Sequence, residues 1–543
     1  MSARRLVVVV TALAVVMIGW NALMAAREGW VPEGDGATIT LRTHDVISAH
    51  PPLLGNPTTA GRVNAGDVYH PGPLEFVLLA LPLRVFGADA HGMLWGTAAV
   101  NAASVLVLVW FARRRGGPGM ALWAAVGSVV LLWSLGNEIL HDPYNPHIVL
   151  LPLAALLVLV WSISAGDLVA IPFAVAAASL ITQSHAYDAI PVAVLGLWAA
   201  LALVLRLPTG RREPPPRDRR RWLLAGAALG VVLWLPPIVD QVVHRPGNLR
   251  QLVRFARDGG TPVAGFGFAF DKLADYLVPP PRWFDRDPTF FELVSRPSRL
   301  RDVGLVILLA AAVWLAVRAW RDDRRTTALL IVTALVAALG STLTAARLPD
   351  GSAALAPYNH RHWWPTAMFF WLALGWAVWE ECRDRVPARH LARVVATAAA
   401  AVLAVSAASR VSIGNDRGSA SFGALRALTV PVADAVRGAG PVLVEAHGAQ
   451  AVLSIEPGLV IGLVERGIDA RVVTAERKTY GDQHTADEAG THVVILSGPE
   501  APAAPVGGVL IGTYDARLDQ ARGFVNAGVS GQFEVIAVYV IRG

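Results

Sequence analysis

Long apolar runs broken by short polar tracts set the rhythm of this chain. Runs of about 16–22 residues, the length that carries a helix across a bilayer, fall at roughly 5–24, 91–112, 119–137, 148–164, 168–184, 188–206, 222–240, 303–320, 327–346, 363–380 and 391–408. They predict about eleven spans. The basic tracts MSARR, ARRRGG (112–117), TGRREPPPRDRRR (209–221), RAWRDDRR (318–325) and ECRDRVPARHLAR (381–393) then all fall on one side. Arginine and lysine accumulate in cytoplasmic loops, so the N-terminus is predicted inside and the C-terminal region outside. The first run also fits a secretory signal, with MAA near a cleavage site. At 19 residues, however, it exceeds the usual apolar core of about 7–15, and an uncleaved first span is the expectation. PLEFVLLALPLRVFG (73–87) is too short to cross and lies between two outward positions, which predicts a helix along the outer interface.

The pattern changes near residue 413. PVLVEAHG, ARVVTAE, THVVILSG, GGVLIGTYD and EVIAVYVIRG read as short strands, with helical stretches such as AVLSIEPGLVIGLVERG and LDQARGFVNAG between them. Such alternation predicts a small α/β domain with a mainly parallel sheet. No glycine-rich phosphate loop follows any strand, so nucleotide binding is unsupported; a structural or acceptor-docking role is expected. The fold class is thus a mostly α polytopic membrane protein, with a transmembrane domain over 1–408 and an extracytoplasmic α/β domain over 409–543. A multi-pass protein of the cell membrane follows.

Composition sharpens the picture in three places. Of 47 basic residues only Lys272 and Lys478 are lysines. The arginines sit in short tracts between apolar runs, a topology signal rather than a nucleic-acid footprint. The single cysteine, Cys382, excludes an internal disulfide and a multi-cysteine metal site. Histidine is asymmetric. His44, His50, His70, His91, His141, His147, His185, His244, His360 and His362 fall in outer loops or at outer helix ends, whereas His390 is cytoplasmic and His447, His484 and His492 belong to the tail. Outer acids join them: Asp45, Glu75, Glu138, Asp142, Asp188 and Asp240. Ionisable groups near a membrane are costly unless they face a wet cavity, and this one-sided set predicts a polar site on the outer face.

The motifs carrying that site are THD (43–45), HPPLLGNP (50–57), HPG (70–72), HDPYNPH (141–147), SHAYD (184–188) and NHRHWWP (359–365). With this order of elements, THD, YHPGPLEFVLLALPLRVFG and LHDPYNPHIVLLP resemble stretches of the GT-C superfamily of membrane glycosyltransferases. Protein O-mannosyltransferases, aminoarabinose transferases and bacterial arabinofuranosyltransferases are members. The resemblance spans the chain in architecture. It implies a polyprenyl-phosphate sugar donor, a glycan, lipid or protein acceptor, and an essential acid in the first outer loop. Here that acid is followed by Val46 rather than by the second acid of some members, which speaks against a metal site; no cofactor is required, and room remains for a divalent cation.

Moving a sugar from a polyprenyl phosphate needs a base for the acceptor hydroxyl and cations for the departing phosphate. A carboxylate in hydrogen-bond reach serves as base, and a single base with direct displacement inverts the anomeric centre. Asp45 is the candidate base, with a helix- or turn-capping role as its alternative. Asp142 is a second candidate acid, or a turn partner ahead of Pro143. For the phosphate, arginine gives two-pronged recognition, which singles out Arg361 between His360 and His362, with Arg245 beside His244 as a weaker candidate. Trp363 and Trp364 are expected at headgroup depth. His44, His50, His70, Glu75, His141, Asn145 and His185 complete the candidate substrate-binding set. WFDRDPTFFE (283–292) is a candidate acceptor lid or a packed surface loop. Arabinofuranose or mannose is the expected sugar. A transporter or flippase of lipid-linked sugars would place its polar residues near the bilayer midplane within paired repeats, and no repeats are seen; a non-catalytic scaffold would tolerate loss of Asp45 or Arg361.

Overall fold

The computed structural model describes residues 3–58, 68–87, 89–205, 216–258, 262–282, 298–351, 354, 356–383, 420–498, 501, 503–515 and 535–543. Two compact units emerge. One comprises Met1–Trp20, Ala99–Leu140 and Pro146–Val411, the other Asn21–Ala98, His141–Asn145 and Ser412–Gly543.

The first unit is a helical bundle. Among the described residues, seven helices of the chain are long and apolar enough to cross a membrane, and the chain is a membrane protein. The helix His91–Leu135 contains two of the predicted runs, separated where Gly117 leaves helical geometry with φ 73° ahead of Pro118. Ala170–Ser184 is helical but only 15 residues long. Trp363–Cys382 matches the tenth run, and the eleventh, 391–408, lies outside the described residues. Every residue of Leu150–Ser164 is buried, as expected of a helix that is apolar all round. Ala170–Ser184, Ala189–Val204, Arg325–Arg347 and Trp363–Cys382 pack around it. Pro216–Val243 instead exposes Val231, Val232, Leu235 and Val242, a surface suited to lipid.

The ends of this bundle differ in chemistry. At one end Asp167 accepts from Arg114 at 2.8 and 3.0 Å and from Arg115 at 3.1 Å. Trp161 Nε1 donates to the Thr326 carbonyl at 2.9 Å, while Arg318 and Arg324 pair with Glu381. Basic tracts far apart in sequence therefore gather together, each tied by a carboxylate. Asp167 is held below the usual carboxylate range, the two arginines outweighing its burial. The opposite end carries the histidines and Asp188.

In the second unit five strands form a sheet in the order β2-β1-β3-β5-β4: β1 (Val442–His447), β2 (Ala470–Val472), β3 (Thr491–Ser497), β4 (Val509–Asp515) and β5 (Val535–Arg542). All five coincide with the predicted runs. The expectation of a mainly parallel sheet needs correction. β1 pairs β2 and β3 in parallel, but β5 runs antiparallel to both β3 and β4. An apolar run marks a strand and is silent about direction, which the connections decide. The helices Ala420–Val436 and Glu456–Val464 bury Leu425, Val432, Leu459 and Val460 against Val444, Val493 and Val538. Ala37 and Leu41, from the helix Gly34–Asp45, belong to that same core. The first-loop helix and the C-terminal sheet are thus one folding unit.

The helix Leu74–Val85 occupies the place predicted for the interfacial element. Leu74, Phe76, Leu79 and Leu83 are buried, whereas Val77, Leu78, Leu81 and Val85 are exposed. One apolar face packs against the protein and the other is left exposed.

Candidate active site

Gly34–Asp45 begins well and ends badly for a helix. Asp35 lies in its first turn, where a negative charge complements the exposed N–H groups. Asp45 is its last residue, where the carbonyls and the negative end of the dipole disfavour a carboxylate. Asp45 is nonetheless 4% exposed, so hydrogen-bond donors must offset both costs. Arg42, one turn earlier, donates from Nη1 to Asp45 Oδ2 at 2.8 Å. His484 Nε2 lies 3.0 Å from Oδ1 and donates to it. Arg42 Nη1 also reaches the Tyr480 carbonyl at 3.2 Å. Among the described residues, Oδ2 takes the Arg42 donor and Oδ1 the His484 donor, and a carboxylate oxygen has a second lone pair. Burial lowers the Arg42 pKa while Asp45 and Tyr69 oppose it. Burial, then the charge of Arg84, pushes His44 down to about 4, and Arg84 donates to the His44 carbonyl at 3.3 Å. The His44 imidazole is therefore neutral at neutral pH.

The segment 480–484 is anchored from behind. Tyr480, 2% exposed, donates its hydroxyl to Glu456 Oε2 at 3.1 Å. Burial pushes Glu456 from 4.5 up to about 7, and the Tyr480 bond offsets this only in part. Between these values the folded chain holds a proton that the unfolded chain releases, so stability falls as pH rises through 7. Glu456→Gln is expected to flatten that slope and to add about 3 kcal/mol above pH 7, read as a raised Tm of the purified protein in detergent; an unchanged pH profile of melting would contradict it.

Around Asp45 the same unit holds several other candidates. Residues 55–58 and 68–70 form a short ribbon, in which the His70 N–H donates to Asn56 O at 2.8 Å. His70 is buried, as are Glu75 at the start of Leu74–Val85, His141 and Asn145. Asp142 accepts the Tyr144 N–H at Oδ1, 3.1 Å, the local turn bond expected of an acid before Pro143. His50 is exposed.

In the helical unit His185 Nδ1 lies 3.0 Å from Asp188 Oδ2, and His362 Nδ1 lies 3.7 Å from Asp188 Oδ1. One buried carboxylate thus serves two imidazoles from distant loops. His360 Nε2 donates to Ala354 O at 2.6 Å, and its ring tilts against Phe268 at 5.8 Å. On the other side of that logic is Lys272, fully buried in the helix Gly265–Leu277, with Nζ 5.1 Å from the Phe268 ring. Burial brings Lys272 down to about 8; burial and the Lys272 charge bring His360 down to about 3. Arg361, 6% exposed, stacks its guanidinium 4.8 Å from the Trp364 ring centre. Asp240 binds His244 at 2.8 Å and caps the next helix through the Asn248 N–H at 2.9 Å, leaving Arg245 exposed.

No protein-family model matches the chain, and no curated protein does. Solved structures similar to it include ArnT from Cupriavidus metallidurans bound to undecaprenyl phosphate, 16% identical with a TM-score of 0.46. The same protein in its apo state is 12% identical with a TM-score of 0.44. Both alignments cover 99% of this chain and 98% of the other. The likeness runs the whole length.

Set against the sequence, the structure gathers His44, Asp45, His70, Glu75, His141, Asp142 and Asn145 into one unit, and His185, Arg245, His360, Arg361 and His362 into the other. Trp363 and Trp364 are corrected. Both are fully buried, and Trp363 lies parallel to Tyr276 with ring centres 5.5 Å apart, so they are packing rather than headgroup residues. The loop 283–292 lies outside the described residues. Among the described residues no group of three His, Cys, Asp or Glu side chains is arranged to hold a metal ion. Sequence reasoning missed Arg42, Lys272 and His484. Arg42 had a signal, three residues before an acid in a helical stretch. The scarcity of lysine was the only hint to Lys272.

Proposed function

We propose that the chain is an inverting glycosyltransferase of the membrane, moving arabinofuranose or mannose from a polyprenyl-phosphate donor to a hydroxyl of a cell-envelope glycan, lipid or protein on the outer face. The observation that carries this reading is Asp45: a buried carboxylate at the unfavourable end of its helix, held by Arg42 on one oxygen and His484 on the other. In the reaction the acceptor hydroxyl gives its proton to Asp45, its oxygen bonds to the anomeric carbon, and the bond from that carbon to the phosphate oxygen breaks. The polyprenyl phosphate leaves with an added negative charge, which needs cations. Arg361 and Lys272 are assigned to it, the first as a planar fork and the second as a point charge. The neutral His360 and the His185–Asp188–His362 group are assigned to orienting the segment 359–365 that carries Arg361. Asp142 and the buried polar residues of the same unit as Asp45, His70, Glu75, His141 and Asn145, are assigned to the acceptor side, and His50 and Arg245 to the rim. Orientation follows from the basic tracts, with the N-terminus cytoplasmic and the transmembrane region 1–408 presenting the domain 409–543 outside.

The test uses membranes carrying the full chain, incubated with polyprenyl-phosphate arabinofuranose or mannose labelled in the sugar. Label is expected to pass to an envelope acceptor with inverted anomeric configuration. Retention of configuration would remove the single-displacement step, and absence of transfer from every such donor would remove the enzyme class.

A further inference from the structure

We infer that His484, from the C-terminal region, is a positioning residue for Asp45, and that the segment Tyr480–His484 is a strap completing the catalytic carboxylate. The inference rests on the glycosyltransferase reading above but goes beyond it, because it gives the C-terminal region a part in the chemistry.

Three independent observations converge on this strap. His484 Nε2 is 3.0 Å from Asp45 Oδ1, on the oxygen that Arg42 leaves free. The Tyr480 carbonyl accepts from the same Arg42 nitrogen that holds Oδ2. Gly481, between them, has φ +88°, and a Cβ added there would collide with Arg42 Nη1. A positive φ and a close approach both call for glycine, so the strap is shaped to let the guanidinium through. Behind it, the Tyr480 hydroxyl is fixed on Glu456 and the ring lies in the sheet core. The charged and titratable groups nearby are Arg42, Asp45, the neutral His44, Arg84 and Asp482, with Tyr69 beside Arg42.

The physical consequence follows from the carboxylate's place at the helix end. Arg42 alone would leave Oδ1 free to rotate, whereas a second donor fixes the plane of the carboxylate and so the direction of the lone pairs that meet the acceptor hydroxyl. A base acts only within hydrogen-bond reach and alignment of the proton it takes. Loss of His484 should therefore appear in turnover rather than in donor binding.

His484→Ala is expected to lower kcat about ten- to a hundredfold, the worth of a hydrogen bond to a charged group, with the donor KM within about threefold of wild type. His484→Gln, whose amide N–H can reach the same oxygen, is expected to recover most of the rate. Gly481→Ala, whose added Cβ displaces Arg42 Nη1 as well as straining the strap, should lower kcat at least as far as His484→Ala. A rescue by glutamine separates positioning from mere support of the fold. Equal kcat in wild type and His484→Ala, or a loss that appears only in KM, would overturn the inference while leaving the transferase reading intact. A second measurement guards against variants that fail to fold: thermal melting of Asp45→Asn, His484→Ala and the double variant in detergent. Non-additive Tm changes are expected of directly bonded partners, and additive ones would overturn the pairing. A wild type that transfers nothing from any donor would defeat the transferase reading and the positioning role together, with the melting cycle still deciding the pairing.

Discussion

Asp45→Asn is expected to reduce sugar transfer by about 10²–10⁴-fold, the range that a positioned base contributes, without loss of the inserted, folded protein. The substitution removes the proposed proton acceptor and also disturbs its surroundings. An amide presents an NH₂ where Arg42 and His484 both offer donors, so one of them loses its acceptor. The rate loss should persist at saturating donor and acceptor, because the missing interaction is one made during chemistry. The measurement is the initial rate with labelled donor in membranes matched for protein content. Wild-type turnover in the variant would take Asp45 out of the reaction.

The second large effect is expected at Arg361. Arg361→Ala should raise the donor KM about ten- to a hundredfold, since charge-assisted bonds to a buried guanidinium are worth about 1.5–3 kcal/mol, with a smaller change in kcat. Arg361→Lys should recover little. A lysine lacks the planar fork and the flat stacking surface that lies on Trp364. Because the stack itself supports packing, melting of each variant must be measured alongside. An unchanged donor KM in a well-folded Arg361→Ala variant would count against the phosphate assignment.

Much of the fold was legible because membrane and sheet elements announce themselves locally. Apolar runs of span length became helices from Ala3–Arg27 through Trp363–Cys382, and the five β-rich stretches became five strands. The site was legible only in its residue types. Asp45 and Arg361 stood out by charge beside apolar sequence, but their partners did not. His484 lies 439 positions from Asp45, and no local pattern records a contact of that span. Lys272 looked like an ordinary residue of an outer loop, and only burial reveals it as a desolvated cation. The Trp363–Trp364 pair failed for the opposite reason. Tryptophan beside a helix end fits a headgroup belt, and what decides against it is Tyr276, contributed from a helix nearly ninety residues earlier.

The shared core of Ala37 and Leu41 with the terminal sheet also bears on biogenesis. As the polypeptide leaves the ribosome, the helix bearing Asp45 emerges early, well before the C-terminal residues that cover it. Until the tail is made and folded, that helix waits uncovered and Asp45 lacks His484. A truncated or stalled product would thus leave Asp45 with Arg42 but without His484, and on the proposed reading without a fully positioned base.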